Sequence, residues 1–236
     1  MSKTGLGNKK VTPMKSWAAR SGLVNDTTLT EAGRIVLAQD PYLQSPITDW
    51  FMHFHLSFGS QGLATPPDNP AEWGGWTWFT HEYLPQYPTF TIDELVGYAS
   101  TVFNESSKQL QKNLNYVLRA YTEPQALGKI QYLTAPESKT YTAANRQLPN
   151  PYLMGYCLAQ LWQRDFSDVT SILTQDLLNQ RLGLTAAFSL SPAQLQETLN
   201  DLEYHHILDQ QKAVAPPQLI RRWQNPLDLL EKAYTT

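Results

Sequence analysis

Residues 5–24 read GLGNKKVTPMKSWAARSGLV. Two glycines, two lysines and a helical pattern admit two readings: a phosphate-cradling loop, or the approach to a DNA-contacting helix. A P-loop requires Gly-x-x-x-x-Gly-Lys-Ser/Thr after a buried strand, because backbone N–H groups and the lysine wrap the phosphates. Here Gly5 and Gly7 are followed by Asn8, Lys9 and Lys10, without that spacing or hydroxyl, and no Val/Ile-rich strand precedes them. The helix reading fits better. Thr12 suits an N-cap, and Pro13 suits the first helical position, where a missing N–H costs nothing. Met14, Trp17, Ala18 and Ser21 recur at i, i+3, i+4 and i+7 as an inward stripe, and Gly22 suits the left-handed residue that ends a helix. Lys15, Ser16, Ala19 and Arg20 then face outward: cations for phosphates, small residues for close approach to a groove.

The residues that follow extend this reading. Leu23-Val24 leads through the polar link 25–28 to Leu29-Thr30, and the Thr30 hydroxyl can cap a second helix running toward Asp40. Helix, hydrophobic pair, polar hairpin and capped helix is the order of a winged helix, whose first such helix sits in the major groove. Charge agrees. Residues 1–34 carry Lys3, Lys9, Lys10, Lys15, Arg20 and Arg34 against Asp26 and Glu31, or +4, so the remainder carries −7 of the net −3. A basic end on an acidic body points to polyanion contact through that end.

Composition bounds the rest. With 236 residues, 42% hydrophobic and 17% charged, the chain can bury a core as one large or two small domains. No apolar run approaches the roughly 20 residues needed to cross a bilayer. Without an apolar signal-peptide region near the N-terminus, the reading is cytoplasmic, with no membrane partner. The lone Cys157 cannot form an internal disulfide or a multi-cysteine zinc site.

Residues 46–58, PITDWFMHFHLSF, read as a buried helix, on which His53 and His55 point about 200° apart. They are therefore expected to be core histidines. A metal site, if present, would join one of them to His81 and Glu82, but the His-Glu-x-x-His spacing is missing. After the glycine- and proline-rich loop 59–75, the run WTWFTHEYLPQYP forms a second aromatic cluster, and Thr91 caps a helix. Ser106–Tyr121 is a further helix, burying Leu110, Leu114, Val117, Leu118 and Tyr121. Its other face carries Lys108, Lys112 and Arg119, either a solvated face or a second phosphate-contacting strip. Residues 122–151 break into turns. Glu137-Ser138-Lys139 has the Glu-x-Lys form of metal-dependent nucleases, with Glu123 upstream.

A helix from Pro151 buries Cys157, and then residues 190–211 repeat the opening order. Ser191 caps, Pro192 starts the helix, Leu195, Leu199 and Leu202 face in, and Ile207-Leu208 precedes a hairpin. The outward face here is Gln194, Glu197, Asn200, Asp201 and Glu203, which phosphate would repel. Glu197, Asp201 and Glu203 are accordingly expected to bind a protein partner or a second copy. The expected fold is mainly α, with winged-helix-like units near both termini (residues 1–45 and 151–236) around an aromatic-rich helical middle (46–150).

In order and spacing, GLGNKKV, SWAARSGLV, LTEAGRIVL, DPYLQSP, DWFMHFHLSF, WTWF, FTIDELV and NPLDLLEKAY resemble the SspB-like family over about Gly5–Tyr234. That resemblance implies a component of DNA-phosphorothioation and phage-defence systems that binds double-stranded DNA. Two departures stand out. Asn8 precedes the lysines where the family has Gly-Lys-Asn, and the family's additional N-terminal segment with an Arg-His-Glu-type motif lies outside these residues. The resemblance therefore carries over DNA binding by Asn8, Lys9, Lys10 and Lys15, and no catalytic residue. The expected function is a DNA-binding component without cofactor or metal. A metal-dependent nickase, the one reading that needs a divalent cation, and a non-catalytic adaptor are the alternatives.

Overall fold

The computed structural model describes residues 8–59, 62–135, 140–143, 147–213 and 215–236, with the backbone alone at 8–10. Helix α1 (Asn8–Arg20) begins before Thr12, so Thr12 is not its cap and Pro13 lies inside it. There Pro13 forfeits the bond its N–H would have given to the Lys9 carbonyl. Met14, expected to face inward, is 54% exposed. Residues 12–16 are all exposed, while Trp17 and Ala18 in the last turn, with the buried Ser21 just after it, seat the helix. Gly22, at φ +78°, ends it: Leu23 N–H donates to Ala18 O and Gly22 N–H to Ala19 O, the paired bonds of a Schellman cap.

A two-residue-per-strand antiparallel hairpin follows, β1 (Val24–Asn25) with β2 (Thr28–Leu29). Thr30 then caps α2 (Glu31–Gln39) as expected, accepting from Gly33 N–H at 2.8 Å while its hydroxyl donates to Gly22 O at 2.7 Å. One threonine thus ties the end of α1 to the start of α2. Helix α3 (Pro46–Leu56), capped by Ser45, is buried over nearly its whole circumference. Next come α4 (Gly75–Trp78), a π-helical turn (Phe79–Tyr83) and α5 (Leu84–Gln86), in one run.

The middle is not only helical. β3 (Thr89–Thr91) leads into α6 (Ile92–Val102), whose Thr91 and Glu94 form a capping box. Helix α7 (Ser107–Thr122) comes next, then β4 (Leu133–Thr134) and β5 (Thr140–Ala143), making an antiparallel sheet in the order β3-β5-β4. Phe90 stacks on its cross-strand partner Tyr141 at 5.6 Å.

The last third repeats this plan. Helix α8 (Pro151–Phe166) buries Cys157. It is followed by β6 (Ser171–Leu173), α9 (Thr174–Leu178), α10 (Leu184–Ala187), α11 (Pro192–Tyr204), β7 (Leu208–Gln211) and β8 (Gln218–Arg221). The sheet order is β6-β8-β7, so in both sheets the first strand pairs with the last. Helix α12 (Pro226–Thr235) closes the chain against α8 and α2.

One core of buried residues runs from Ala32 to Ala233, and two polar chains thread it. In the first, Trp76 Nε1–H donates to the Tyr121 hydroxyl (2.9 Å), which lies 2.8 Å from His53 Nδ1, while His53 Nε2 lies 2.8 Å from Ala187 O. A carbonyl can only accept, so Nε2 carries the proton and Nδ1 accepts from Tyr121. In the second, the Thr48 hydroxyl donates to Asp40 Oδ2 at 2.6 Å and lies 2.8 Å from the Tyr234 hydroxyl. Burial alone would raise the Asp40 carboxyl. Thr48, the backbone N–H groups of Gln44 and Ser45, and nearby Lys129 instead hold it below the usual carboxylate range.

Candidate nucleic-acid interface

Lys15, Ser16, Ala19 and Arg20 are all exposed on α1. Trp17, on the helix's other side, meets Trp76 edge-on at 5.4 Å, so the cationic face is turned out by an aromatic anchor. Among the described residues neither Lys15 nor Arg20 is in an ion pair. Ser16, Ala19 and Arg20 border a cavity of about 300 Å³ with Gly22, His55, Gly59 and Gly62. Gly22 cannot be widened there, because a Cβ would sit 2.6 Å from the His55 ring. Asn8, Lys9 and Lys10 belong to α1 by backbone, but their side chains lie outside the described residues.

The remaining candidates fall apart from this face. His53 is wholly buried, with both ring nitrogens in hydrogen bonds; His55 Nε2 lies 3.1 Å from the Tyr156 hydroxyl, and burial pulls its pKa down to about 4. His81 is also buried, against Phe58 at 5.2 Å, and its pKa falls to about 3, chiefly through burial. Glu82 instead accepts from Gln86. Among the described residues no three His, Cys, Asp or Glu side chains gather closely enough to hold a metal ion. Glu137, Ser138 and Lys139 lie outside the described residues, and Glu123 accepts from Arg119 at 2.7 Å. On α11, Glu197 and Asp201 are exposed and border a cavity of about 270 Å³ with Leu148, Pro149, Pro151 and Met154. Glu203 differs from them: it is half-buried and accepts from Gln210 N–H at 2.8 Å, bracing the following hairpin.

Sequence reasoning missed the middle sheet. Its signals are present but short: Thr-Phe-Thr at 89–91 and Thr-Tyr-Thr-Ala at 140–143 alternate as strands do, yet each is too brief to register as periodicity. Without that sheet, α7 reads as one more bundle helix rather than as the helix ahead of a hairpin.

This geometry defines a mainly α protein in which small antiparallel sheets close successive helical units and a basic helix projects at one end. The chain belongs to the family described as "Protein of unknown function (DUF4007)", whose model matches residues 1–234. A comparison with curated proteins found no match. Among solved structures the chain is similar to the magnesium ion-bound SspB crystal structure, with a TM-score of 0.68 and 19% identity, over 97% of this chain and 75% of that one. A second SspB crystal structure matches with a TM-score of 0.66 and 16% identity over the same shares. The SspB-like fold expected from the sequence is thus the fold found. Among the described residues no helix is long and apolar enough to cross a membrane.

Proposed function

We propose that this chain is a DNA-binding component of a DNA-phosphorothioation or phage-defence assembly, and that it grips duplex DNA through α1. The observation that carries the reading is the exposed Lys15, Ser16 and Arg20 on a helix with no acidic residue, anchored from behind by Trp17 on Trp76. Asn8, Lys9 and Lys10 extend the same helix toward its N-terminus. The likeness of fold to SspB supports the choice of system. In this reading the helix, hairpin and capped helix at the N-terminus, and the strand, helices and hairpin of the last third, serve as winged-helix-like units with α1 and α11 as the presented helices. Phosphate repels the anionic face of α11, so this second helix meets a basic protein or another copy through Glu197 and Asp201, with Glu203 fixing the adjacent hairpin.

Titration of a labelled duplex with the protein at several salt concentrations tests the role of α1. Replacing Lys9, Lys10, Lys15 and Arg20 together with alanine is expected to weaken binding and to flatten the salt slope by about 0.9 for each phosphate left without its cation. An unchanged affinity and slope would remove α1 from the DNA face. Supercoiled plasmid incubated with Mg²⁺ is expected to stay supercoiled, and the appearance of open circles would favour the nickase instead.

A further inference from the structure

Resting on that DNA-binding reading, we propose that the chain has a second duplex-contacting helix, α7, whose exposed Lys108, Lys112 and Arg119 meet phosphates while its amide side chains reach base edges. The middle and last thirds share one plan, strand, helices, helix, hairpin, with the first strand paired to the last in each sheet. In that plan α7 and α11 correspond, each being the last α-helix before its hairpin, although a 3-10 turn (Gly128–Ile130) separates α7 from β4.

Their surfaces are opposite. α11 carries Glu197, Asp201 and Glu203 and no cation, whereas α7 carries Lys108, Lys112 and Arg119 and no anion. Lys108, Lys112, Asn115 and Arg119 fall at i, i+4, i+7 and i+11, a single stripe, with Gln111 and Tyr116 exposed beside it. The stripe is about 16 Å long at 1.5 Å per residue, long enough to follow a major groove across several base pairs. Leu110, Leu114, Val117, Leu118 and Tyr121 hold the opposite side in the core, so the stripe cannot turn inward. Among the described residues Lys108 and Lys112 make no ion pair. Arg119 has only Glu123, at 2.6 Å with both side chains largely solvated, and such pairs are weak enough to exchange for a phosphate.

The side-chain chemistry favours DNA over an acidic protein. Lysine and arginine neutralise phosphates, and asparagine and glutamine pair with adenine in the major groove. A protein interface would call for apolar anchors, and Tyr116 alone, 58% exposed, is of that kind on this face. The placement also suits joint use with α1. Tyr121, at the end of α7, meets Trp76 at 5.7 Å, and Trp76 meets Trp17 of α1, so the two cationic helices share one aromatic support.

The test uses the full chain and a fluorescein-labelled random-sequence duplex, with anisotropy read at 50–200 mM NaCl. The triple variant Lys108→Ala, Lys112→Ala, Arg119→Ala is compared with wild type and with Lys129→Ala, Lys212→Ala, Lys232→Ala, which has the same net charge. The α7 triple is expected to keep its melting temperature and to lose about 2.7 from the salt slope. Across that salt range the wild type then loses about 40-fold more affinity than the variant. Binding by the α7 triple equal to wild type, or a loss no greater than in the charge-matched variant, overturns the inference and leaves the α1 reading standing. Absence of duplex binding by the wild type overturns the DNA reading itself. Loss of salt-sensitive self-association with duplex binding intact would reassign α7 to protein contact and likewise overturn the inference.

Discussion

Two glycines in helices, Gly33 and Gly97, should respond in opposite directions to the same added methyl group. A Cβ built on Gly33 would lie 2.0 Å from the Leu23 carbonyl oxygen, where ordinary contact begins at 3.4 Å. The start of α2 would therefore have to retreat by 1.4 Å, the difference between those distances. That retreat pulls on three bonds at once: Gly33 N–H to Thr30 Oγ1 at 2.8 Å, Thr30 Oγ1 to Gly22 O at 2.7 Å, and Thr30 N–H to Leu23 O at 3.0 Å. Overpacking costs about 1–3 kcal/mol and a lost N-cap about 1, against a gain of about 1 kcal/mol from alanine's helix propensity. The net is a loss of about 1–3 kcal/mol. At about 2–4 °C per kcal/mol for a chain of this size, Gly33→Ala should melt lower by about 2–12 °C. Gly97 lies in the exposed part of α6 with nothing within 4 Å of a built Cβ. Gly97→Ala keeps the propensity gain alone and should melt higher by about 2–4 °C. Circular-dichroism melts of both variants against wild type read the sign directly. A Gly33→Ala protein as stable as wild type would refute the close approach of α2 to the end of α1, and with it the seating proposed for the basic helix.

Two further perturbations probe the polar chains of the core. Tyr121→Phe removes the hydroxyl between Trp76 Nε1 and His53 Nδ1, and each buried group stripped of such a bond costs about 1–3 kcal/mol; chemical denaturation that shows no loss would show that the hydroxyl does not join them. Burial, with a smaller push from Asp40 and against the pull of Lys129, raises the Asp49 carboxyl from its ordinary 3.8 to about 6. The folded state therefore holds this proton more tightly than the unfolded one, and stability is lost as pH rises from about 4 to 6 and stays lost above that. Asp49→Asn should then stabilise the protein at pH 8, by an amount that shrinks to nothing near pH 4, and a gain independent of pH would disprove the charged, buried carboxylate.

The parts of the fold that the sequence made legible are those written as long periodic runs with explicit caps. Thr30, Thr91 and Ser191 each accept from the backbone N–H three residues on, as their positions suggest, and Ser106, read as the first residue of its helix, proves to be a cap of the same kind. Thr12-Pro13 misleads, because proline is at home in a first turn and nothing local reveals a helix already begun at Asn8. Met14 misleads for a related reason. Periodicity says which residues share a face but not whether another element covers it, and residues 12–16 are all exposed. His53 is legible as a core histidine, while its partners Tyr121 and Ala187 stand 68 and 134 residues away in sequence, a separation that no local pattern encodes.

Charge completes the account of why the same plan would be used repeatedly in one chain. A helix ahead of a hairpin is held on its buried side by leucines, as Leu110 and Leu114 hold α7 and Leu195 and Leu199 hold α11. Its exposed side carries no structural duty and is free to specify a partner. The two helices differ in what that side carries, three cations on α7 and two exposed anions, Glu197 and Asp201, on α11, where Glu203 instead braces the hairpin. At physiological ionic strength, where screening acts over about 8 Å, surfaces more than that distance apart scarcely cancel each other's fields. A net charge of −3 therefore does not argue against DNA contact by the basic faces. It follows that reversing Glu197 and Asp201 to lysine should leave α7-dependent binding unchanged at 150 mM salt and strengthen it only when salt is lowered to about 10 mM, where the screening length reaches about 30 Å. Stronger duplex binding by that variant at 150 mM would place α11 within the DNA face itself, and would defeat the assignment of its anionic surface to a protein partner.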